Sequence, residues 1–290
     1  MQQSPPIQWF PGHMAKTRRQ IEKDVRLVDA VAEILDARIP VSSRNPDLDS
    51  LIVGKPRIMF LNKADLADPV RTKEWVTYFE SLGFGSIAVD CRTGKGLKGF
   101  LPLARTVLAD RLASWKAKGM AGRRIRILVA GVPNVGKSSL INRLSGNSRA
   151  SVEDRPGVTR RNQWFPVGKD LEILDTPGIL WPKFGDPAVG EHLAFTGAIK
   201  DDIIDTETLA CRLLEVLRDG YAELLVQRYR LKDDFSGFGG YELLELIGRK
   251  RGMLISGGEI DTERASIMLL DEFRSGKIGR ITLEKAGEPK

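Results

Sequence analysis

The sequence predicts an α/β fold built on a mostly parallel sheet and followed by a small all-helical C-terminal domain. Three observations predict it. Short apolar runs recur without polar–apolar alternation, each run ends in a polar or glycine-rich turn, and helical stretches lie between several of them. Strands that are apolar on both faces belong inside parallel sheets covered by helices on each side. The turns matter for function, because ligands of such sheets bind beyond the carboxyl ends of the strands.

Residues 20–29 read as a helix leading into the first run, 31–35, which ends at Asp36-Ala37-Arg38. The second run, 56–61, ends at Asn62-Lys63-Ala64-Asp65, and the third, 86–89, ends at Asp90-Cys91-Arg92. The fourth, 125–130, ends at Gly131, and the fifth, 171–174, ends at Asp175-Thr176-Pro177-Gly178. Helices are expected over 70–82, 97–115 and 137–145. Past about residue 186 strands become few. Residues 205–218 place Leu209, Leu213, Leu214 and Leu217 on one helical face, with acidic residues early and Gly220 just beyond the end. Residues 241–247 and 262–274 read the same way, with Gly276 as a stop. The expected domains are therefore 1–188 and 189–290.

The chain has 290 residues and a mass of 32.2 kDa, enough for about two domains and a sizeable core. Hydrophobic residues at 42% and charged residues at 29% exclude a disordered chain. No apolar run approaches the roughly 18 residues needed to span a bilayer, and the N-terminus has no apolar h-region, so neither a membrane nor a secretory route is expected. Cys91 and Cys211, the two cysteines, make neither a disulfide framework nor a structural zinc site, and a reducing, cytoplasmic setting follows. The net charge of +7 and pI near 9.4 permit a polyanionic partner without naming one.

Gly131-Val132-Pro133-Asn134-Val135-Gly136-Lys137-Ser138, followed by Ser139, fits the phosphate-binding pattern GxxxxGK[ST] between an expected strand and an expected helix. Glycines there turn backbone N–H groups around phosphate oxygens, Lys137 brings charge to the β and γ phosphates, and the Ser138 hydroxyl reaches Mg²⁺. Asp175 ends another apolar strand downstream and is placed to hold Mg²⁺ through a water; the Gly178 amide would sense the γ-phosphate. Between the two motifs lies the polar loop Arg155-Pro156-Gly157-Val158-Thr159-Arg160-Arg161, in which Thr159 is the hydroxyl to complete Mg²⁺ coordination. An ordinary surface loop is the other reading of that segment.

Asn62-Lys63-Ala64-Asp65 fits NKxD, the guanine-recognition pattern. A guanine base presents two donors, N1–H and the exocyclic amine, and the one carboxylate of Asp65 can accept both, which selects GTP and GDP over adenine nucleotides. Asn62 bridges to the phosphate loop and the Lys63 stem covers the base plane. Asp90-Cys91-Arg92 falls where GTPases carry a Ser-Ala-Lys loop whose backbone N–H meets the base oxygen; Cys91 takes the small central place and Arg92 stacks. Cys91 is equally a small buried filler.

The order of these pieces is unusual. NKxD and Asp90-Cys91-Arg92 precede the phosphate loop, Thr159 and Asp175-Thr176-Pro177-Gly178, whereas ordinary GTPases run the other way. A circular permutation keeps the same site, because old termini lie close together on a surface. It also leads the chain after Gly178 directly into the helical domain, so a nucleotide-dependent change there would pull on residues 186–290.

With Trp9-Phe10-Pro11-Gly12-His13-Met14, Asp36-Ala37-Arg38-Ile39-Pro40 and the motifs above in this order, the chain resembles the circularly permuted GTPases, and closely the ribosome biogenesis GTPase A family (RbgA, also called YlqF). The resemblance covers nearly the whole chain. It implies a P-loop GTPase fold and a bacterial cytoplasmic protein that binds the large ribosomal subunit late in assembly. It also implies GTP hydrolysis that is stimulated by the ribosome and coupled to maturation, and a helical domain that contacts ribosomal RNA. Ile179 stands where Ras-like GTPases orient water with Gln, and the family's candidate for that task is His13, whose near-neutral pKa suits it. Packing of an N-terminal arm is the other reading of this segment. Asn134 resembles the asparagine that holds K⁺ in cation-dependent GTPases, and simple capping of the loop is its alternative. His192 has no motif around it.

Residues 111–126 carry six basic side chains, Arg111, Lys116, Lys118, Arg123, Arg124 and Arg126, and no acidic one. Arg149, Arg155, Arg160 and Arg161 add charge in the loop before Asp175, and Arg249, Lys250, Arg251, Arg274, Lys277 and Arg280 add more in the helical domain. Such clusters predict salt-sensitive phosphate contacts with RNA, without base-specific readout. No DNA partner is expected. The competing readings are a GTP-dependent RNA-binding module with little hydrolysis, favoured by Ile179, and a GTPase acting on the small subunit or another RNA.

Overall fold

The computed structural model describes residues 12–120, 122–146, 163–176, 186–199, 201, 204–231 and 234–287, with the backbone alone for 12–17. In chain order its elements are α1 (Gly12–Val25), β1 (Ala30–Asp36), α2 (Asp47–Leu51), β2 (Arg57–Asn62), α3 (Pro69–Ser81), β3 (Gly85–Ala88), α4 (Phe100–Val107), α5 (Ala109–Ala117), β4 (Ile125–Ala130) and α6 (Lys137–Ser145). There follow β5 (Gln163–Val167), β6 (Leu171–Asp175), α7 (Pro187–Phe195), α8 (Thr206–Tyr229), α9 (Gly240–Lys250) and α10 (Thr262–Arg274).

Each of the apolar runs becomes a strand of one sheet with the order β3-β2-β1-β4-β6-β5. The pairs β1–β2, β2–β3, β1–β4 and β4–β6 are parallel, and only β5 runs antiparallel, at the edge. Both faces are covered, which is why the strands read as unbroken apolar runs. Val31 and Leu128 face Ile21 and Val25 of α1 and Leu48 of α2, while Leu35, Met59 and Leu61 face Trp75 and Phe79 of α3. On the other side Ile34, Phe60, Ile127 and Val129 meet Phe100 of α4, Trp115 of α5, Leu140 of α6 and Leu193 of α7. Phe60 and Phe100 pack edge to face at 4.9 Å, an arrangement worth about 1 kcal/mol beyond burial.

This topology positions the site. From β1 the chain winds outward through β2 and β3; from β4 it winds the opposite way to β6. The crevice between the carboxyl ends of β1 and β4 is the switch point at which such sheets bind ligands. Parallel strands also bring Asp36, the NKAD turn, the DCR turn, the phosphate loop and Asp175 to one edge despite their order in the chain.

Helix starts follow local rules. Asp68, Asp186, Asp205 and Asp261 each accept hydrogen bonds from first-turn amides of α3, α7, α8 and α10, and Pro69 and Pro187 take the first helical position. Two expected helices are corrected. The 97–115 stretch is a 3₁₀ turn (Leu97–Gly99) and two helices broken at Leu108 (φ −105°), which lets Leu108 and Trp115 both reach the core around Phe100. The helix from 206 does not stop at Gly220 but runs to Tyr229, with a kink at Tyr221 (φ −148°, ψ 35°). Glycine is where a helix bends most readily, and the bend lets the Tyr221 hydroxyl donate to Thr282 O and accept from Thr282 N.

The helical core joins Leu209, Leu213, Leu214 and Leu217 of α8 with Leu243, Leu244 and Ile247 of α9 and Leu269, Leu270 and Phe273 of α10. Helix α7 belongs to both cores: Leu193 packs under the sheet, Ala194 and Phe195 into the helices. A boundary at 188/189 therefore falls inside α7. Among the described residues, none after α10 is helical. Residues 280–284 return across the carboxyl ends of β1 and β2, with Ile281 N donating to Leu66 O and Leu283 N to Arg38 O. Among the described residues, no helix is long and apolar enough to cross a membrane.

Candidate functional site

Asn62, the last residue of β2, ties the two ends of the site together. Its Nδ2 donates to Val135 O of the phosphate loop at 2.7 Å, and its Oδ1 accepts from Cys91 N at 3.0 Å. The contact is close enough to dictate the neighbouring residue. Gly136 has φ +101°, and a Cβ there would lie 2.3 Å from Asn62 Nδ2, so glycine is required by conformation and by space.

At the base end, Lys63 adopts a left-handed backbone (φ 59°) and its Nζ lies 3.0 Å from Asp36 Oδ2. Burial would raise the Asp36 carboxyl, but Arg38 and Lys63 overcome this and hold it well below the usual carboxylate range. Asp65, which the sequence assigns to the guanine edge, pairs with Arg92 Nη2 at 3.3 Å. Asp90 organises the next turn: its Oδ1 accepts from Arg92 N and Thr93 N, and its Oδ2 from Thr93 Oγ1. Partial burial opposes ionisation of Asp90, yet these hydrogen bonds lower its pKa. Cys91 is buried, and desolvation pushes its thiol up to about 12. The filler reading of Cys91 thus describes its packing. In this loop the Cys91 amide donates to Asn62 Oδ1 and the Arg92 amide to Asp90 Oδ1, which fixes the turn beside the NKAD residues.

At the phosphate end, Gly136 starts α6 without any side-chain cap, leaving the helix N-terminus as a cradle for anionic oxygens. Lys137 is buried, and its Nζ donates to Gly131 O at 3.1 Å and Val132 O at 2.9 Å. Desolvation, partly opposed by Asp175, lowers its pKa to about 8. Pro133 is buried, while Ser138 and Ser139 are half-buried in the first turn of α6. Asp175 is buried at the end of β6, and the next residue, Thr176, donates Oγ1 to Val129 O at 2.7 Å, locking β6 to the P-loop strand. Serine and aspartate oxygens at this spot are hard donors of the kind Mg²⁺ takes. Asn134 is left-handed (φ 57°), and its Nδ2 donates to Gly197 O at 2.8 Å, just past α7. The amide is thereby oriented by the helical side of the molecule.

Thr159, Gly178, Ile179, the 155–161 loop and Trp9-Phe10-Pro11 lie outside the described residues, and so does the side chain of His13. Two groups of residues were not legible as a site. Asp36 and Arg38, which the sequence offers only as part of the family resemblance and without a role, form a buried ion pair beside Lys63. His192, ordinary in sequence, has Nδ1 3.1 Å from both Glu284 Oε1 and Ser42 Oγ. Both partners share one ring nitrogen, so this is a structural latch and not a nucleophile–base relay, which uses the two nitrogens separately.

The basic clusters look different in three dimensions. Arg111 and Arg123 both pair with Asp29, and Arg124 and Arg126 both pair with Glu172. Carboxylates distant in sequence thus supply what 111–126 lacks. Arg251 pairs with Glu272 and Arg274 with Asp201. Lys116, Lys118, Arg249, Lys250 and Lys277 remain on the surface.

Comparison with known proteins agrees with this geometry. A family model described as "50S ribosome-binding GTPase" matches residues 126–228, the segment that carries the phosphate loop and Asp175 and leaves NKAD outside. The chain is 47% identical to ribosome biogenesis GTPase A of Priestia megaterium over 97% of this chain and 98% of that one. It is 34% identical to the Thermotoga maritima protein of the same name over 96% and 94%. A GDP-bound structure of TM YlqF superposes with a TM-score of 0.64 at 30% identity, covering 93% of this chain and all of that one. A GNP-bound YlqF from T. maritima gives 0.62, also at 30% identity, over 94% and 100%. A GTPase site assembled from motifs in permuted order, with relatives matched along nearly their whole length, places this chain in the ribosome biogenesis GTPase A family.

Proposed function

We propose that this GTPase is an assembly factor that binds the large ribosomal subunit and its rRNA in the cytoplasm and couples GTP hydrolysis to late maturation of that subunit. The GTP part is carried by one observation: Asn62 joins the NKAD turn, the DCR turn and the phosphate loop into a single site. The ribosomal part rests on the family, whose members are named for ribosome biogenesis and whose model is described as binding the 50S subunit.

In this reading Asp65 accepts the guanine donors, Lys63 covers the base, and Lys137 with the α6 amides holds the phosphates. Bound Mg²⁺ would supply charge neutralisation on the phosphates; Ser138 and Thr159 would hold it, with Asp175 acting through a water, and the Gly178 amide would report the γ-phosphate. Asn134 is the candidate K⁺ ligand, its amide oriented by Gly197 O. His13 positions the attacking water. Among the described residues of the basic clusters, the exposed Lys116, Lys118, Arg249, Lys250 and Lys277 are charges available to rRNA phosphates; Arg149, Arg155, Arg160 and Arg161 lie outside the described residues.

Co-sedimentation with separated ribosomal subunits at several salt concentrations tests the assignment, with GTP turnover followed in parallel. The expected result is pelleting with the large subunit that weakens steeply with salt, and turnover raised by that subunit. Binding only to the small subunit overturns the proposal. His13→Ala should lower stimulated turnover at unchanged nucleotide affinity; normal turnover returns that segment to a packing role.

A further inference from the structure

The NKAD turn is gripped from two sides by arginines that lead out of the nucleotide-binding layer. On one side, Asp36 clamps Arg38 through Nε–Oδ1 at 2.9 Å and Nη2–Oδ2 at 2.7 Å, and the same Oδ2 lies 3.0 Å from Lys63 Nζ. Arg38 is 1% exposed; its guanidinium lies 5.4 Å from the Phe273 ring centroid, and Nη1 donates to Arg274 O at 3.4 Å. Both contacts are at the C-terminal end of α10, where a cation is favoured. On the other side, Arg280 donates Nε to Ala67 O at 2.9 Å and Nη2 to Ala64 O at 2.7 Å. Amides of Ile281 and Leu283 fasten the same segment to Leu66 O and Arg38 O.

We propose that Arg38 and Arg280 are positioning residues for guanine, and that through them guanine-nucleotide affinity is linked to the seating of α10 and residues 280–284 on the sheet. This rests on the reading of Asn62-Lys63-Ala64-Asp65 as the base-recognition turn. Lys63 is a non-glycine residue at φ 59°, a conformation that persists where the surroundings over-determine it. A planar, bidentate and stacked arginine is the kind of group that does so, and a lysine at position 38 would keep the charge without the fork or the stacking. Linkage is reciprocal: whatever GDP gains from an ordered turn, the seated C-terminal segment gains from GDP.

The test uses the full chain with a fluorescent GDP analogue. Arg280→Gln changes an exposed side chain and should weaken GDP binding by about fivefold or more, mainly by faster release. Arg38→Lys should act similarly. In a Lys63→Met background Arg38→Lys should add less than about twofold, because its route runs through Lys63. Hydrogen exchange at the Ile281 and Leu283 amides should slow on GDP addition, and less so in Arg38→Lys. If both arginine variants melt like the parent and bind GDP with parental affinity while Lys63→Met loses it, the proposal is overturned and the base-site reading stands. If Lys63→Met and Asp65→Asn also bind GDP normally, the base-site reading itself falls, and this inference with it.

Discussion

Lys63 and Lys137 stand at the two ends of one nucleotide site and are prepared in opposite ways. Lys63 has a carboxylate 3.0 Å away and a left-handed backbone set by its surroundings. Lys137 is buried, its nearest partners are two carbonyls of its own loop, and its pKa has fallen to about 8. The base end is organised by the protein's own charges. The phosphate end holds a cation short of counter-charge, so it gains most from a polyanion: opposite charges 4 Å apart interact by about 4 kcal/mol at an effective dielectric constant near 20.

That contrast can be broken at either end. Lys137→Ala should weaken GDP and GTP binding by about 2–5 kcal/mol, measured by calorimetry; a loss below about 1 kcal/mol would erase the distinction between the two lysines. Asp65→Asn should leave phosphate binding in place but reduce the preference for guanine by about 3 kcal/mol, two charge-assisted hydrogen bonds at about 1.5 each. Competition of GTP against ATP reads this, and tight guanine selectivity in the variant counts against the NKAD assignment.

The lysine contrast also has a pH signature. Above pH 8 the ligand-free protein holds Lys137 neutral, so nucleotide binding must take up a proton, and affinity should fall by up to about tenfold per pH unit. Calorimetry in buffers of different ionisation enthalpy counts that proton. For the ligand-free fold the sign is opposite. Between pH 8 and about 10.4 the unfolded chain keeps a proton on this lysine that the folded chain gives up, so this group favours folding as pH rises through the window. The smallest expected effect belongs to Arg92→Ala. Its side chain is 81% exposed, so its ion pair with Asp65 is worth under about 1 kcal/mol. A larger loss of GDP affinity would sharpen the picture by assigning Arg92 to the bound base.

Legibility followed physics. The phosphate loop, NKAD and the bounds of α6 and α10 were readable because motif chemistry, capping aspartates and stop glycines are local. Strand β5 was not, since only Phe165 is buried and Pro166 sits where only an edge strand tolerates it. The helix beyond Gly220 was not, because what holds it past the bend is Tyr221 reaching Thr282, a tertiary contact. The basic stretch 111–126 misled for the same reason: Asp29 arrives from the bend before β1 and Glu172 from β6. At the site, Asn62 was legible as a bridge, but the Asp36–Arg38 support was not, because its far partners Phe273 and Arg274 are visible only once α10 is docked.

The returning segment 280–284 has a consequence in time as well as in space. Its bonds join residues 216, 245 and 214 positions apart in Arg280–Ala64, Thr282–Ala37 and Thr282–Asp68. During synthesis at about 5–20 residues per second, the phosphate loop and the guanine turn leave the ribosome well before the segment that closes over the guanine turn. The base-reading end of the molecule is therefore completed late, by a segment made 216 residues after the guanine turn, and a nascent chain that already folds its sheet still lacks the support beneath NKAD.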